Sequence, residues 1–322
     1  MASRRNSGRR GKSSKGIFMI AAAVILAGAG GGYVAFGGNK AAATEGAIAE
    51  LIPGIKNDDQ PASADPAADA KSLAEVEDQI AQANAALNSP AEVRDASMKA
   101  SYASLSKLLE GPLPYEARER ALTAFHSITG ELFLSPVHNE FSESYTVKSG
   151  DNYERIAGKA GISLNLLYDL NKKPRGSRNL QAGENLKLPK GKVTVVVRKR
   201  DYTTSLYFGD NLVRQYIVAH GANDNTPLGI TQISTMSVDP EKQSRGPNDP
   251  VNEMHLRWIG LQSFDDARTK EVESRSGFGL HGTQHPESIP GMTSRGCIRM
   301  KDADVVELYD IVRIGNRVEI KA

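Results

Sequence analysis

Between residues 17 and 38 the chain runs for 22 positions without a charge, as IFMIAAAVILAGAGGGYVAFGG. At 1.5 Å rise per residue, a helix of that length crosses about 30 Å of hydrocarbon. The run therefore predicts an N-terminal transmembrane helix, with residues 1–16 as a basic cytoplasmic tail and everything beyond it outside the cytoplasm. A cleaved signal segment is the alternative, because the hydrophobic heart at residues 17–26 is short and small residues follow at Ala41, Ala42 and Ala43. Residues 39–70 have no period. They are rich in Ala and interrupted by Pro53, Pro61 and Pro66, which reads as a disordered linker.

From Lys71 a helical period begins. Leu73, Val76, Ile80 and Leu87 recur at spacings of three, four and seven. Ser89-Pro90-Ala91-Glu92 has the form of a capping box and opens a second helix, with Val93, Tyr102, Leu105, Leu108 and Leu109 facing inward and Gly111-Pro112 closing it. A third helix runs over residues 114–128 with Ala121, Leu122 and Phe125 inward. No polar cluster with evident chemistry lies in residues 71–135, which read as a helical spacer or partner surface.

Residues 143–191 read differently: a short strand at 145–147, the turn Ser149-Gly150-Asp151, a helix to Ala160, a second helix over 163–171 and a strand over 185–188 before Pro189. This βααβ pattern resembles the LysM module through Tyr145, Val147, Gly150, Asp151, Ile156, Ala157, Leu166, Asn171, Leu180, Gly183, Leu186 and Pro189. The resemblance implies a glycan-binding module for N-acetylglucosamine-containing polymers, with Gly150, Asp151 and Asn171 as glycan-binding residues. Asn152-Tyr153 depart from the family's Thr and Leu, which keeps a non-binding spacer as the alternative.

From Lys192 the period falls to two. VTVVVRK, SLYFG, LVRQYIVAHG and ITQIST are separated by turns at Gly209-Asp210 and Asn223-Asp224-Asn225, which predicts an antiparallel, mostly β domain over residues 192–322. One helix is expected at residues 301–309 and a last strand at 317–320.

Charge changes the picture only at the start. The 40 Lys and Arg against 38 acids give +2 overall, but residues 1–16 contain six bases and no acid, so the remainder is mildly negative. Such a body has no electrostatic footprint for nucleic acid. The single cysteine, Cys297, excludes an internal disulfide and a thiolate-rich zinc site. It is left for burial, a partner chain or chemistry.

A thiol has a pKa near 8.5 and needs a neighbouring base to act as a nucleophile at neutral pH. No histidine follows Cys297, so the base must lie upstream, at His126, His138, His220, His255, His281 or His285. This order excludes the Cys-then-His arrangement of papain-like peptidases. His281 ends an expected strand (Gly277-Phe278-Gly279-Leu280), and Cys297 sits in the turn Ser294-Arg295-Gly296-Cys297 before a helix. The two can meet across a shared edge, with turn N–H groups near a developing oxyanion. A packed structural cysteine with an unrelated histidine is the alternative. His281 and His285 have the four-residue spacing of a zinc pair, but Gly282 and Pro286 break a helix there, so no metal is expected.

The stretch HGTQHPESIPGMTSRGCIRMKDADVVELYDIV resembles the signature of the L,D-transpeptidase catalytic domain, the YkuD-like fold. The carriers are His281, Gly282, Thr283, Ser294, Gly296, Cys297, Ile298, Arg299, Met300 and Asp304, with Thr226-Pro227-Leu228-Gly229 and Arg257-Trp258-Ile259-Gly260-Leu261 in support. The resemblance implies a β-sandwich with one helix near the active site, Cys297 as nucleophile and His281 as base. It implies oxyanion donors at Gly296 and Cys297, and Arg299, Arg295, Ser294, Gly282 and Thr283 along the substrate. Arg295 stands where most members have histidine, and Pro290 where a glycine is commoner. No cofactor is implied. The expected substrate is the tetrapeptide stem of peptidoglycan, with D-alanine released, a thioester formed on Cys297 and an amine completing a cross-link. Water as acceptor would make an L,D-carboxypeptidase, and a catalytically inert domain would leave a wall-binding scaffold in the cell envelope.

Overall fold

The computed structural model describes residues 66–240, 254–263 and 277–322, all within one compact unit spanning Gly54–Ala322. The uncharged run at residues 17–38 lies outside the described residues. Among those described, no helix is long and apolar enough to cross a membrane.

Three helices come first: α1 (Pro66–Leu87), α2 (Ala91–Glu110) and α3 (Tyr115–Thr129), the last continued by a π-helical turn at Gly130–Leu134. α1 begins five residues before the expected Lys71, inside the stretch read as linker. Proline is tolerated in a first turn because its missing N–H has no helical partner to lose. The capping box does not form. Ser89 Oγ instead donates to the Ala85 carbonyl at 2.9 Å, finishing α1, and α2 starts after Pro90 without a side-chain cap. Val93, expected inward, is 51% exposed. Val76, Tyr102, Leu105, Leu109, Phe125 and Ile128 form the buried seam.

The next module is antiparallel β1 (Ser142–Thr146) and β2 (Asn185–Pro189) with α4 (Tyr153–Ala160) and α5 (Leu164–Leu170) between them. Asn152 and Ser163 cap the two helices by accepting from Arg155 N–H and Leu166 N–H. Gly161 takes φ +69° to end α4, a conformation costly for other residues.

The largest part is a nine-stranded mixed sheet among the described residues. Its strands are β3 (Val193–Arg198), β4 (Thr203–Phe208), β5 (Asn211–Gly221), β6 (Gly229–Val238), β7 (His255–Ser263), β8 (Gly279–Gly282), β9 (Gly291–Ser294), β10 (Ile298–Met300) and β11 (Arg317–Lys321), with helix α6 (Asp302–Ile311) before the last strand. The order is β10-β8-β7-β6-β11-β3-β4-β5-β9, and β10 also pairs with β5, so the sheet curls until its two ends meet. The mostly-β expectation stands, and the antiparallel expectation holds for β3–β4–β5 and for β11–β6–β7–β8 but not for the whole sheet. β11–β3, β10–β8 and β5–β9 are parallel pairs. Such pairs need a connection that leaves the sheet edge and returns, and α6 lies in the connection that carries the chain from β10 at one end of the sheet back to β11 in its middle.

Buried polar side chains join the three parts. Arg118 of α3 is 4% exposed and donates from Nη1 to the Leu109 carbonyl and Gln215 Oε1 of β5, at 2.6 and 2.7 Å. Lys187 of β2, 1% exposed, donates from Nζ to the Ser135 and Val137 carbonyls at 2.7 and 2.6 Å. Asn165 and Arg175 both bind the Asp310 carboxylate at the end of α6, each at 2.8 Å. The helical region is thus a fixed bracket on β5 and the βααβ module.

Candidate active site

Strand pairing sets the site. His281 on β8 lies opposite Trp258 on β7 and Arg299 on β10. Cys297 immediately precedes β10, whose first residue, Ile298, pairs with Leu280 beside His281. Adjacent parallel strands thus carry the strand-end histidine and, one residue ahead of β10, the turn cysteine.

The His281 side chain is 2% exposed, and its Nδ1 lies 2.7 Å from the Gly282 carbonyl. A carbonyl only accepts, so Nδ1 holds the proton and Nε2 keeps its lone pair. Burial pulls the imidazole pKa down to about 4, with the Gly282 carbonyl acting to raise it and the Arg299 cation adding to the fall. The Trp258 ring stacks beside it at 6.1 Å between centroids and 25° between planes. The ring is neutral at physiological pH and fixed in one tautomer, which is the form a general base requires.

Cys297 is half-buried, and its Sγ lies 3.3 Å from the Gly277 carbonyl. The turn before it is tightly held. Gly296 has φ +144°, a value that L side chains rarely adopt. Its N–H donates to Ser294 Oγ at 3.1 Å, Ser294 Oγ donates to the Cys297 carbonyl at 2.5 Å, and Thr226 Oγ1 donates to the Gly296 carbonyl at 2.8 Å.

Several expected roles change on this geometry. The Gly296 N–H, expected in the oxyanion hole, is engaged by Ser294 because a hydroxyl two residues back can close this tight turn. Ser294, expected along the substrate, is 4% exposed and braces the turn. Thr283 is 5% exposed, and its Oγ1 accepts the His285 N–H at 3.1 Å, so its hydroxyl shapes a turn of its own. Gly282 orients His281 through its carbonyl. A Cβ there would lie 2.5 Å from the His255 carbonyl and against the Asp302 carboxylate, so only glycine fits. Arg299 sits beside His281, and Arg295 is exposed on the turn.

The expected glycan residues of the βααβ module are similarly engaged in holding the fold. The Asn171 amide accepts Lys187 N–H at 2.7 Å and donates to the Lys187 and Leu167 carbonyls at 3.0 and 2.8 Å, locking α5 to β2. Asp151 accepts from the Tyr145 hydroxyl at 2.7 Å and the Lys148 N–H at 2.9 Å, which hold its carboxyl below the usual range. Gly150 takes φ +83° and its carbonyl accepts from Arg155.

His285 and His255 have partners of their own. His285 is exposed and paired with Glu287 in a loop, while His281 lies on a strand, so the two share no helix face. His255 Nδ1 meets Asp302 Oδ2 at 2.5 Å, and the other carboxylate oxygen accepts Thr283 N–H at 3.1 Å. Asp302 is a site residue that the motifs do not mark, and Thr226, which carries the resemblance in its turn, has a contact with Gly296 that the turn does not announce. The only sequence signal was an acid in the first turn of the expected helix and a threonine in a TPLG turn.

The description of the L,D-transpeptidase catalytic domain matches residues 192–320, and that of the LysM domain matches residues 145–189. YqjB of Bacillus subtilis (strain 168), which bears the name of an L,D-transpeptidase, is 33% identical over 141 residues, 43% of this chain and 75% of that one. YkuD of Bacillus licheniformis, similarly named, is 32% identical over 183 residues, covering 55% of this chain and 97% of its own. The chain belongs to the L,D-transpeptidase family. Among solved structures, the L,D-transpeptidase of Xylanimonas cellulosilytica (residues 123–326) is 20% identical with a TM-score of 0.30, over 41% of this chain and 61% of that one.

Proposed function

We propose that this chain is a cysteine-dependent L,D-transpeptidase that cross-links peptidoglycan stems in the bacterial envelope. The single observation behind this reading is the β8–β10 register, which pairs the strand carrying a neutral, tautomer-fixed His281 with the strand that directly follows half-buried Cys297. His281 Nε2 takes the thiol proton as Sγ adds to the carbonyl carbon between the third residue and the terminal D-alanine of a tetrapeptide stem. The tetrahedral oxyanion collapses, the C–N bond breaks, and D-alanine leaves as an amine with the proton returned by the imidazolium. A thioester remains on Cys297. An amine from a neighbouring stem then adds to it, giving its proton to His281, and the thiol is expelled and reprotonated as the new amide forms.

Arg299, whose charge lies near His281, is assigned to a stem carboxylate, and exposed Arg295 to the rim. The LysM module would hold glycan strands, and an anchor at residues 17–38 would keep the body against the outer side of the membrane. Two weak contacts on one polymer raise the local stem concentration.

The test incubates the purified full chain with disaccharide tetrapeptide and reads products by mass. A cross-linked dimer with free D-alanine is expected. Tripeptide with D-alanine and no dimer would identify water as the acceptor. Unchanged substrate from both the wild type and Cys297→Ala would overturn the enzymatic reading.

A further inference from the structure

The turn ahead of Cys297 contains a clamp that the mechanism above does not use. Thr226 is 1% exposed. Its Oγ1 accepts the Gly221 N–H at 2.8 Å and donates to the Gly296 carbonyl at 2.8 Å. Three backbones meet here without slack: a Cβ on Gly221 would lie 2.8 Å from Thr226 N and 2.9 Å from Gly296 Cα. From the other side, buried Lys199 donates from Nζ to the Thr226 carbonyl at 2.6 Å and pairs with Asp224. The hydroxyl is therefore held at a set height over the Gly296 carbonyl.

The Gly296–Cys297 peptide is trans. In a planar trans peptide the carbonyl and the following N–H point to opposite sides, so fixing one fixes the other. We propose that Thr226 is a positioning residue that sets the aim of the Cys297 N–H, the turn's donor to the oxyanion formed when Sγ adds to a carbonyl. This inference rests on the transpeptidase reading. It also accounts for the Gly296 N–H, which Ser294 engages and which therefore gives no second donor from this pair.

The test separates acyl transfer from plain thiol reactivity. Iodoacetamide alkylates a thiolate at a saturated carbon and forms no oxyanion, whereas acylation by the tetrapeptide forms one. Thr226→Val in the full chain keeps shape and removes the hydroxyl. It is expected to slow acylation roughly 10- to 100-fold, short of the 10²–10³ for outright loss of a donor, and to leave the alkylation rate within about twofold. Thr226→Ser, which restores the hydroxyl, is expected to recover most of the acylation rate. An equal fall in both reactions, or undiminished acylation in Thr226→Val, overturns the inference alone. A wild type that alkylates but never acylates overturns the transpeptidase reading and the inference with it.

A measurement on the unaltered chain covers the case in which Thr226→Val does not fold. A peptide aldehyde adds to Sγ as a thiohemiacetal, and the Cys297 amide proton, followed by ¹⁵N-edited NMR, should move downfield as its oxygen arrives. An unmoved Cys297 resonance in the fully formed adduct overturns the inference.

Discussion

Asn171 in the LysM module and His281 in the catalytic sheet both stand out from their motifs as polar residues at the end of an element, and they end in opposite conditions. All the polar capacity of the Asn171 amide that the fold can use goes to the Leu167 and Lys187 backbone. His281 has one nitrogen engaged, by the very next carbonyl, and its other nitrogen has no hydrogen bond among the described residues. A motif residue whose polar atoms are consumed by its own backbone is there to build the module. One held by a single atom keeps its second nitrogen for the proton transfer proposed above. The same contrast divides the cysteine turn itself: Ser294 and Thr226 are fully engaged, while the thiol is half-exposed.

The sharpest break of this comparison is at the catalytic end. Cys297→Ala should form no acyl-enzyme by intact-protein mass, and His281→Gln should lose on the order of 10³-fold in acylation rate while its melting temperature stays near wild type. Acidification comes next. The His281 and His126 imidazoles are both brought down to about 4 by burial, His126 further by Arg214. An unfolded chain takes up these protons below about 6.5, the folded chain only near 4, so stability is highest above 6.5 and falls as pH drops through that window. Each histidine contributes about 3 kcal/mol at full effect. Asp304, raised to about 6 by burial, opposes the trend in its own range, since its stabilisation is present at low pH and is lost as pH rises from 3.8 to about 6. Urea melts from pH 7.5 to 4 should show a net loss, and a flat profile would mean these imidazoles are solvated.

Asn171→Ala should cost roughly 2–3 kcal/mol in urea unfolding, because it leaves buried backbone groups of β2 unpaired. Its folded fraction should bind chito-oligosaccharide as wild type does, whereas a selective loss of glycan affinity would make Asn171 a ligand contact after all. Arg299→Gln removes a cation that disfavours the imidazolium, so the acid limb of kcat/KM should move upward from its position near pH 4. Asp310→Ala should be smallest. It loosens the seam with Asn165 and Arg175, both partly exposed, by about 1 kcal/mol or less, detectable as a broadened urea transition.

The long strands β3 to β6 and all five helices up to β2 were legible, since each repeats its period several times. β9 and β10 have four and three residues and offer no period to read. Ser89 lies within reach of two helix ends, and only the chain path decided that it finishes α1 rather than starting α2. No local pattern marks Arg118 or Lys187 as buried. Their long stems reach oxygens of neighbouring modules, Gln215 Oε1 for Arg118 and the Ser135 carbonyl for Lys187, so they are buried as rivets.

From its sequence alone the chain specified its modules, their order, the cysteine and the upstream histidine, because local periodicity and short motifs are properties of contiguous residues. The tertiary structure decided which polar groups remain for chemistry. That depends on hydrogen bonds between residues as far apart as Thr226 and Gly296 or Lys187 and Ser135, and no local pattern encodes which donor finds which acceptor once the chain has closed on itself.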